Sequence, residues 1–100
     1  MRVVCILVGV LAAAPCAAAQ DRAAIDAGAA VYAEHCAICH GERLINTGTA
    51  FDLRQLRADE RPRFDKAMAE GKGQMPAWEG VLSEEEIAQV WAYIRSKAVN

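Results

Sequence analysis

The chain has no run of lysine and arginine, no period-2 alternation of apolar and polar residues, and no long apolar stretch beyond residues 3–14. Each absence removes a class of protein. Interspersed charge without a basic run makes nucleic acid an unsuitable partner. Residues 3–14 are too few for a permanent membrane-spanning helix. Without strand-like runs there is no βαβ unit and no sheet to build on. Cysteine is scarce as well: two of the four, Cys5 and Cys16, lie in the amino-terminal segment, which leaves Cys36 and Cys39. One close pair of thiols is not a disulfide scaffold.

That amino-terminal segment reads as a leader. Arg2 gives a short basic start, residues 3–14 an apolar run, and Ala17-Ala18-Ala19 a small-residue cleavage site. The pattern is that of a secretory signal peptide, residues 1–19, cut between Ala19 and Gln20. Export to the periplasm follows, with residues 20–100 as one small domain. Lipidation of Cys16 would instead tether the chain to a membrane, but Pro15 directly before it suits a lipobox poorly. Loss of Arg2 leaves ten basic and thirteen acidic residues, a net charge of −3. A domain this short buries a marginal core and usually needs a staple.

The staple is written in Cys36-Ala37-Ile38-Cys39-His40. C-x-x-C-H is the signature for covalent haem attachment. The two thiols add across the two vinyl groups of one haem c, and the histidine directly after them can bind the iron as proximal ligand. Other readings fit less well. A thioredoxin-like redox pair needs the βαβ context that is missing. A zinc cage wants a second pair of ligands, and only His35 remains. A disulfide between Cys36 and Cys39 would close a very small loop and stabilise little.

Periodicity predicts an all-α fold with three helices. The first spans about 22–38, with Ile25, Gly28, Ala29 and Tyr32 on one stripe and both cysteines on its last turn. Gly28 costs about 1 kcal/mol against alanine inside a helix, so it implies close approach by another helix. The second spans 60–70, with Pro62 in its first turn, Gly71 as its stop, and Phe64, Ala67 and Met68 on its buried side. The third spans 84–98, opened by a Ser83/Glu86 capping box and striped by Ile87, Val90, Trp91 and Ile94. Between them, residues 41–59 form a connection too long to be structureless without a function. Phe51, Leu53 and Leu56 there either wall a cofactor or pack on the helices.

A ligand for the far side of the iron comes from few candidates. His35 adjoins Cys36 too closely to reach across the ring, and Met68 sits on a helix stripe where methionine usually fills core. Met75, in Gly71-Lys72-Gly73-Gln74-Met75-Pro76-Ala77-Trp78, is the expected distal ligand. Glycines there let the backbone approach the ring, and Pro76 stiffens the position. Lys72 is a further candidate, and a merely packed or exposed Met75 is the alternative. Trp78 and Arg54 are candidate contacts for the haem propionates, or else ordinary packing and a solvated charge.

With these pieces in place, the chain resembles the class I c-type cytochromes over nearly all of residues 20–100. The matching parts are the first helix with Gly28 and Tyr32, the motif from Cys36 to His40, Met75-Pro76, and the last helix with Val90 and Tyr93. The resemblance implies helices wrapped around one haem, with the first and last crossing closely. It also implies a one-electron carrier rather than an enzyme. One departure stands out: many members place a proline soon after the motif to accept a bond from the proximal imidazole, and none occurs here between His40 and Asp59. Phe51-Asp52-Leu53-Arg54 and Met75-Pro76-Ala77-Trp78 are similar to small cytochromes that accompany quinoprotein alcohol dehydrogenases. That points to such a dehydrogenase as donor and to a cytochrome oxidase or another cytochrome as acceptor. The rival readings are a ligand-binding or peroxidase-like haem protein with an open or displaceable sixth position, and a haem-free thiol oxidoreductase.

Overall fold

A computed structural model describes residues 16–99. The expected leader, residues 1–19, lies outside this range except for residues 16–19, which enter the first helix. Four helices are present among the described residues: α1 (Cys16–His35), α2 (Ala37–His40), α3 (Arg61–Glu70) and α4 (Glu84–Ser96). Among the described residues, only isolated bridges, Lys72 with Met75 and Glu79 with Leu82, have β-type pairing. The all-α architecture follows from the sequence periodicity.

The expected continuous helix from 22 to 38 does not form. α1 ends at His35, and Cys36 stands between it and the single turn α2. The Cys36 N–H still bonds to the Tyr32 carbonyl at 2.8 Å. Its φ of −115°, however, departs from the helical value near −63° and re-aims the chain. The Cys36 carbonyl then accepts from the His40 N–H at 2.9 Å, starting a new turn. Both cysteines therefore lie on a separate turn rather than at the end of α1. Gly41, at φ 94°, ends that turn in a conformation that side chains resist.

α1 and α4 form the largest helix–helix contact of the fold. A Cβ at Gly28 would lie 1.9 Å from the backbone oxygen of Gln89, so only glycine permits this crossing. One turn further on, the Tyr32 and Tyr93 rings stack at 5.3 Å between centroids, tilted by 50°. Aromatic pairs prefer such tilted or offset geometry. Val90 and Ile94 are fully buried at the same contact. α3 joins from the side through Phe64, whose ring sits 5.1 Å from that of Trp91.

Caps hold the helix ends. Ser83 accepts from the Glu86 N–H at 3.0 Å and Glu86 accepts from the Ser83 N–H at 2.9 Å, which completes the expected capping box. Pro62 occupies the first turn of α3 and Gly71 follows its last residue. Residues 41–59, read from sequence as one long connection, contain three short 3₁₀ turns: Glu42–Leu44, Leu53–Gln55 and Ala58–Glu60. Leu44 and Leu56 anchor them in the core.

Two substitutions test this scaffold. Gly28→Ala gains helix propensity but drives a methyl into a backbone carbonyl, and overpacking of this kind costs about 1–3 kcal/mol. Net destabilisation is expected in guanidinium unfolding, against the stabilisation that the same change gives in an open helix. Ser83→Ala should cost about 1 kcal/mol through the lost cap.

Candidate functional site

A cavity of about 830 Å³ opens between α2, α3, α4 and the two connecting segments. This falls in the size range of cofactor pockets, roughly 300–1,000 Å³. Cys36, Cys39 and His40 line it together with Met75, although the latter is distant in sequence. Leu53, Leu56, Phe64, Val90 and Ile94 give it apolar walls. Phe51, Leu53 and Leu56 thus all reach the cavity, and Leu56 belongs to the buried core as well. The two readings of that segment are not exclusive.

Both motif cysteines are free thiols, Cys39 exposed and Cys36 half-buried. Burial pushes the Cys36 thiol up to about 11, with the neighbouring Cys39 adding to the shift. It therefore stays protonated through neutral pH. A nucleophilic redox cysteine has the opposite property, a lowered pKa in an electropositive setting. The environment is that of a thiol kept in an apolar wall.

His40 is fixed by its neighbours. Its Nδ1–H donates to the Phe51 carbonyl at 3.1 Å. With Nδ1 protonated, Nε2 is the nitrogen whose lone pair can bind a metal. A carbonyl partner on the other ring nitrogen is how ligating histidines are usually held in orientation. Phe51 thus supplies the acceptor that no proline provides in residues 41–59, and nothing in the sequence marked it. On one side of the histidine, the Cys39 carbonyl accepts from the Thr49 hydroxyl at 2.9 Å. On the other, the Gly41 carbonyl accepts from the buried Tyr32 hydroxyl at 2.6 Å. Burial first, and then nearby Cys36, hold the Tyr32 hydroxyl well above the usual phenol range. It remains a donor through neutral pH.

Met75 sits in a turn closed by two reciprocal backbone bonds, Lys72 N–H to Met75 O at 3.0 Å and Met75 N–H to Lys72 O at 2.9 Å. Gly71 makes the turn possible, since a Cβ there would lie 2.6 Å from the Met75 oxygen. Met68 also lines the cavity but is 2% exposed within the core, and its carbonyl accepts from the Trp78 N–H at 2.7 Å. Trp78 lines the cavity and meets the His35 ring edge-on at 5.1 Å.

Arg54 is placed elsewhere. Its Nε and Nη2 both bond to Asp52, each at 3.1 Å, and it is not among the cavity-lining residues. The bidentate pairing with Asp52 holds the guanidinium where it is. The basic groups that do line the cavity are Arg63, Lys66 and Lys72. Arg63 lies over the Phe51 ring at 4.7 Å and bonds to Glu60 at 3.1 Å. Sequence reading missed Arg63 and Lys66, yet with Ala67 and Glu70 they recur at i, i+3, i+4 and i+7, one face of α3.

These residues fit the haem that the motif implies. Two unpaired thiols, an imidazole with its ring orientation fixed and a thioether share one apolar cavity, with cations at hand for acidic substituents. Removing the Tyr32 hydroxyl tests how tightly the histidine segment is held. Tyr32→Phe keeps the ring packing but leaves the Gly41 carbonyl with only the Leu44 N–H at 3.3 Å. A loss of about 1 kcal/mol in unfolding free energy is expected, with the absorption spectrum unchanged.

Comparison with known proteins agrees with this site. The family model for subunit III of cbb3-type cytochrome c oxidase matches residues 23–94. Cytochrome c6 of Euglena gracilis is 38% identical over 78 residues, covering 71% of this chain and 90% of that protein. Cytochrome c6 of Leptolyngbya boryana is 35% identical over 77 residues, covering 72% and 91%. Quinohemoprotein alcohol dehydrogenase ADH IIB of Pseudomonas putida is 31% identical over 86 residues, which cover 83% of this chain but 12% of the enzyme. The solved structure of quinohemoprotein alcohol dehydrogenase ADHIIG from the same organism superposes with a TM-score of 0.72 at 30% identity, covering 79% of this chain and 12% of that one. No described helix is long and apolar enough to cross a membrane. The chain belongs to the c-type cytochromes, as a small class I member that carries electrons on one covalently attached haem c.

Proposed function

We propose that the protein is a periplasmic electron shuttle whose haem iron is bound by His40 and Met75, with Cys36 and Cys39 as its thioether anchors. The observation that carries this reading is the His40 ring, held through Nδ1 by the Phe51 carbonyl, in a cavity that also receives Met75. When bound, the haem supplies a one-electron ferric/ferrous couple. The chain's own residues set the terms of that couple. A thioether from Met75 is a soft ligand that favours ferrous iron and raises the potential. With His40 and Met75 both bound to the iron, the chain would leave no position for oxygen or peroxide. The apolar walls from Leu53, Leu56 and Ile94 exclude water and limit rearrangement between oxidation states.

Exchange with partners takes place at the motif. Ile38, between the two thiols, is 91% exposed, and Cys39 beside it is exposed too. A small apolar surface of this sort suits the weak, brief contacts of redox encounters. Likeness to the cytochrome part of Pseudomonas putida quinohemoprotein alcohol dehydrogenases supports a dehydrogenase of that class as electron donor. The match to a cbb3-type oxidase subunit supports a terminal oxidase, or a cytochrome feeding one, as acceptor. Trp78 is the residue proposed to contact a propionate, since it lines the cavity. Delivery to the periplasm rests on the leader in residues 1–19.

Two methionine variants test the ligand assignment. Met75→Ala should abolish the weak far-red sulfur-to-iron absorption of the oxidised protein and lower its potential. Met68→Ala should leave that band in place and lower stability by about 2–5 kcal/mol, as expected for a buried side chain. The reverse pattern would transfer the ligand role to Met68. A high-spin wild-type spectrum that shifts at once on adding carbon monoxide to reduced protein would favour a ligand-binding role instead.

A further inference from the structure

The acceptor that orients His40 is a main-chain atom in a loop without proline, and something must hold that atom still. The Phe51 side chain is 46% exposed and has no place in the buried core. The ordering comes instead from polar side chains just upstream. Asn46 Nδ2 donates to the Ala50 carbonyl at 2.9 Å, while Asn46 Oδ1 accepts from the Gly48 N–H at 2.5 Å. One side chain thus closes the loop on itself. The Thr49 hydroxyl donates to the Cys39 carbonyl at 2.9 Å, and with that proton committed the Thr47 hydroxyl, also at 2.9 Å, donates to Thr49. Downstream, the Asp52 carboxylate accepts from the Arg54 N–H at 3.1 Å and its carbonyl from the Gln55 N–H at 3.0 Å. Phe51 is therefore the hinge residue between two hydrogen-bonded turns.

We infer that Asn46 and Thr49 are positioning residues for the proximal imidazole, acting through the Phe51 carbonyl. Asn46 sets the shape of the loop and Thr49 pins it to the residue preceding His40. Together they do what a rigid ring residue would do by fixing φ. The chemistry is specific. Asn46 must both donate and accept, which aspartate cannot do, and Thr49 must present a hydroxyl, which serine also has and valine lacks. The inference rests on His40 being the proximal ligand.

The test uses the haem-loaded protein and three variants, Thr49→Val, Thr49→Ser and Asn46→Asp. NMR follows solvent exchange of the His40 Nδ1 proton in the reduced protein, and potentiometry follows the midpoint. Thr49→Val and Asn46→Asp should each speed exchange roughly tenfold, the factor that one net hydrogen bond of protection carries. Their midpoints should rise, because an imidazole that loses its acceptor donates less charge to iron and ferric iron loses support. Thr49→Ser should stay close to wild type in both readouts. A purely structural role would lower unfolding stability in Thr49→Val while leaving exchange and midpoint where they were, and that result overturns the inference. So would a Thr49→Ser variant as perturbed as Thr49→Val. Should Thr49→Val fail to load haem, Asn46→Asp alone decides between the same two outcomes. Wild-type His40 ring protons without a haem ring-current shift would sink histidine ligation itself, a failure separable from unchanged variants.

Discussion

The backbone contact between Gly28 of α1 and Gln89 of α4 sets the geometry from which the rest follows. It lets the α4 backbone occupy the space where a Cβ at position 28 would stand. One turn along α1, Tyr32 is then pressed between α4 and the start of the haem motif. Its ring packs on Tyr93, and its hydroxyl reaches the Gly41 carbonyl. A single side chain thus couples the helix crossing to the residue that follows His40. Packing on one face of Tyr32 becomes alignment of the main chain one residue beyond the imidazole.

The histidine segment is held on both flanks and at its ring, by Thr49, Tyr32 and the Phe51 carbonyl in turn. These ties differ in physical character. The Tyr32 bond is buried and so shielded from water, where competition from solvent is least. The Thr49 bond lies at the surface, and a surface bond contributes direction more than stability. Between them, the His40 side of the cavity has an ordered framework made almost entirely of local polar contacts. The Met75 side of the cavity is built differently, from a two-bond turn around Met75 and the steric freedom of Gly71. A wall of that kind offers a ligand while keeping its own backbone bonds satisfied.

Electrostatics around the cavity follow the helix face rather than the loops. Arg63, Lys66 and Lys72 reach the cavity from α3 and the turn after it. Arg54 belongs to a different arrangement, the capped turn that begins at Asp52. From sequence, Arg54 is either a contact for a haem propionate or a solvated charge. The bidentate Asp52 partner two residues away holds it in the loop. The geometry of the 3₁₀ turn places these two side chains together without further ordering.

Sequence alone determined the cofactor, the helical class, both ends of α3, the capping box of α4 and the requirement for glycine at position 28. Each is a local rule: a fixed spacing of thiols, a 3.6-residue period, a cap or a missing side chain. Tertiary structure decided what depends on residues far apart meeting. It broke the first helix at Cys36, put both methionines at one cavity, turned the polar stripe of α3 toward it, and chose the Phe51 carbonyl as the partner of His40. A backbone carbonyl carries no signature in sequence, since every residue has one. Only the folded path of residues 41–51 determines which carbonyl comes within 3.1 Å of the ring.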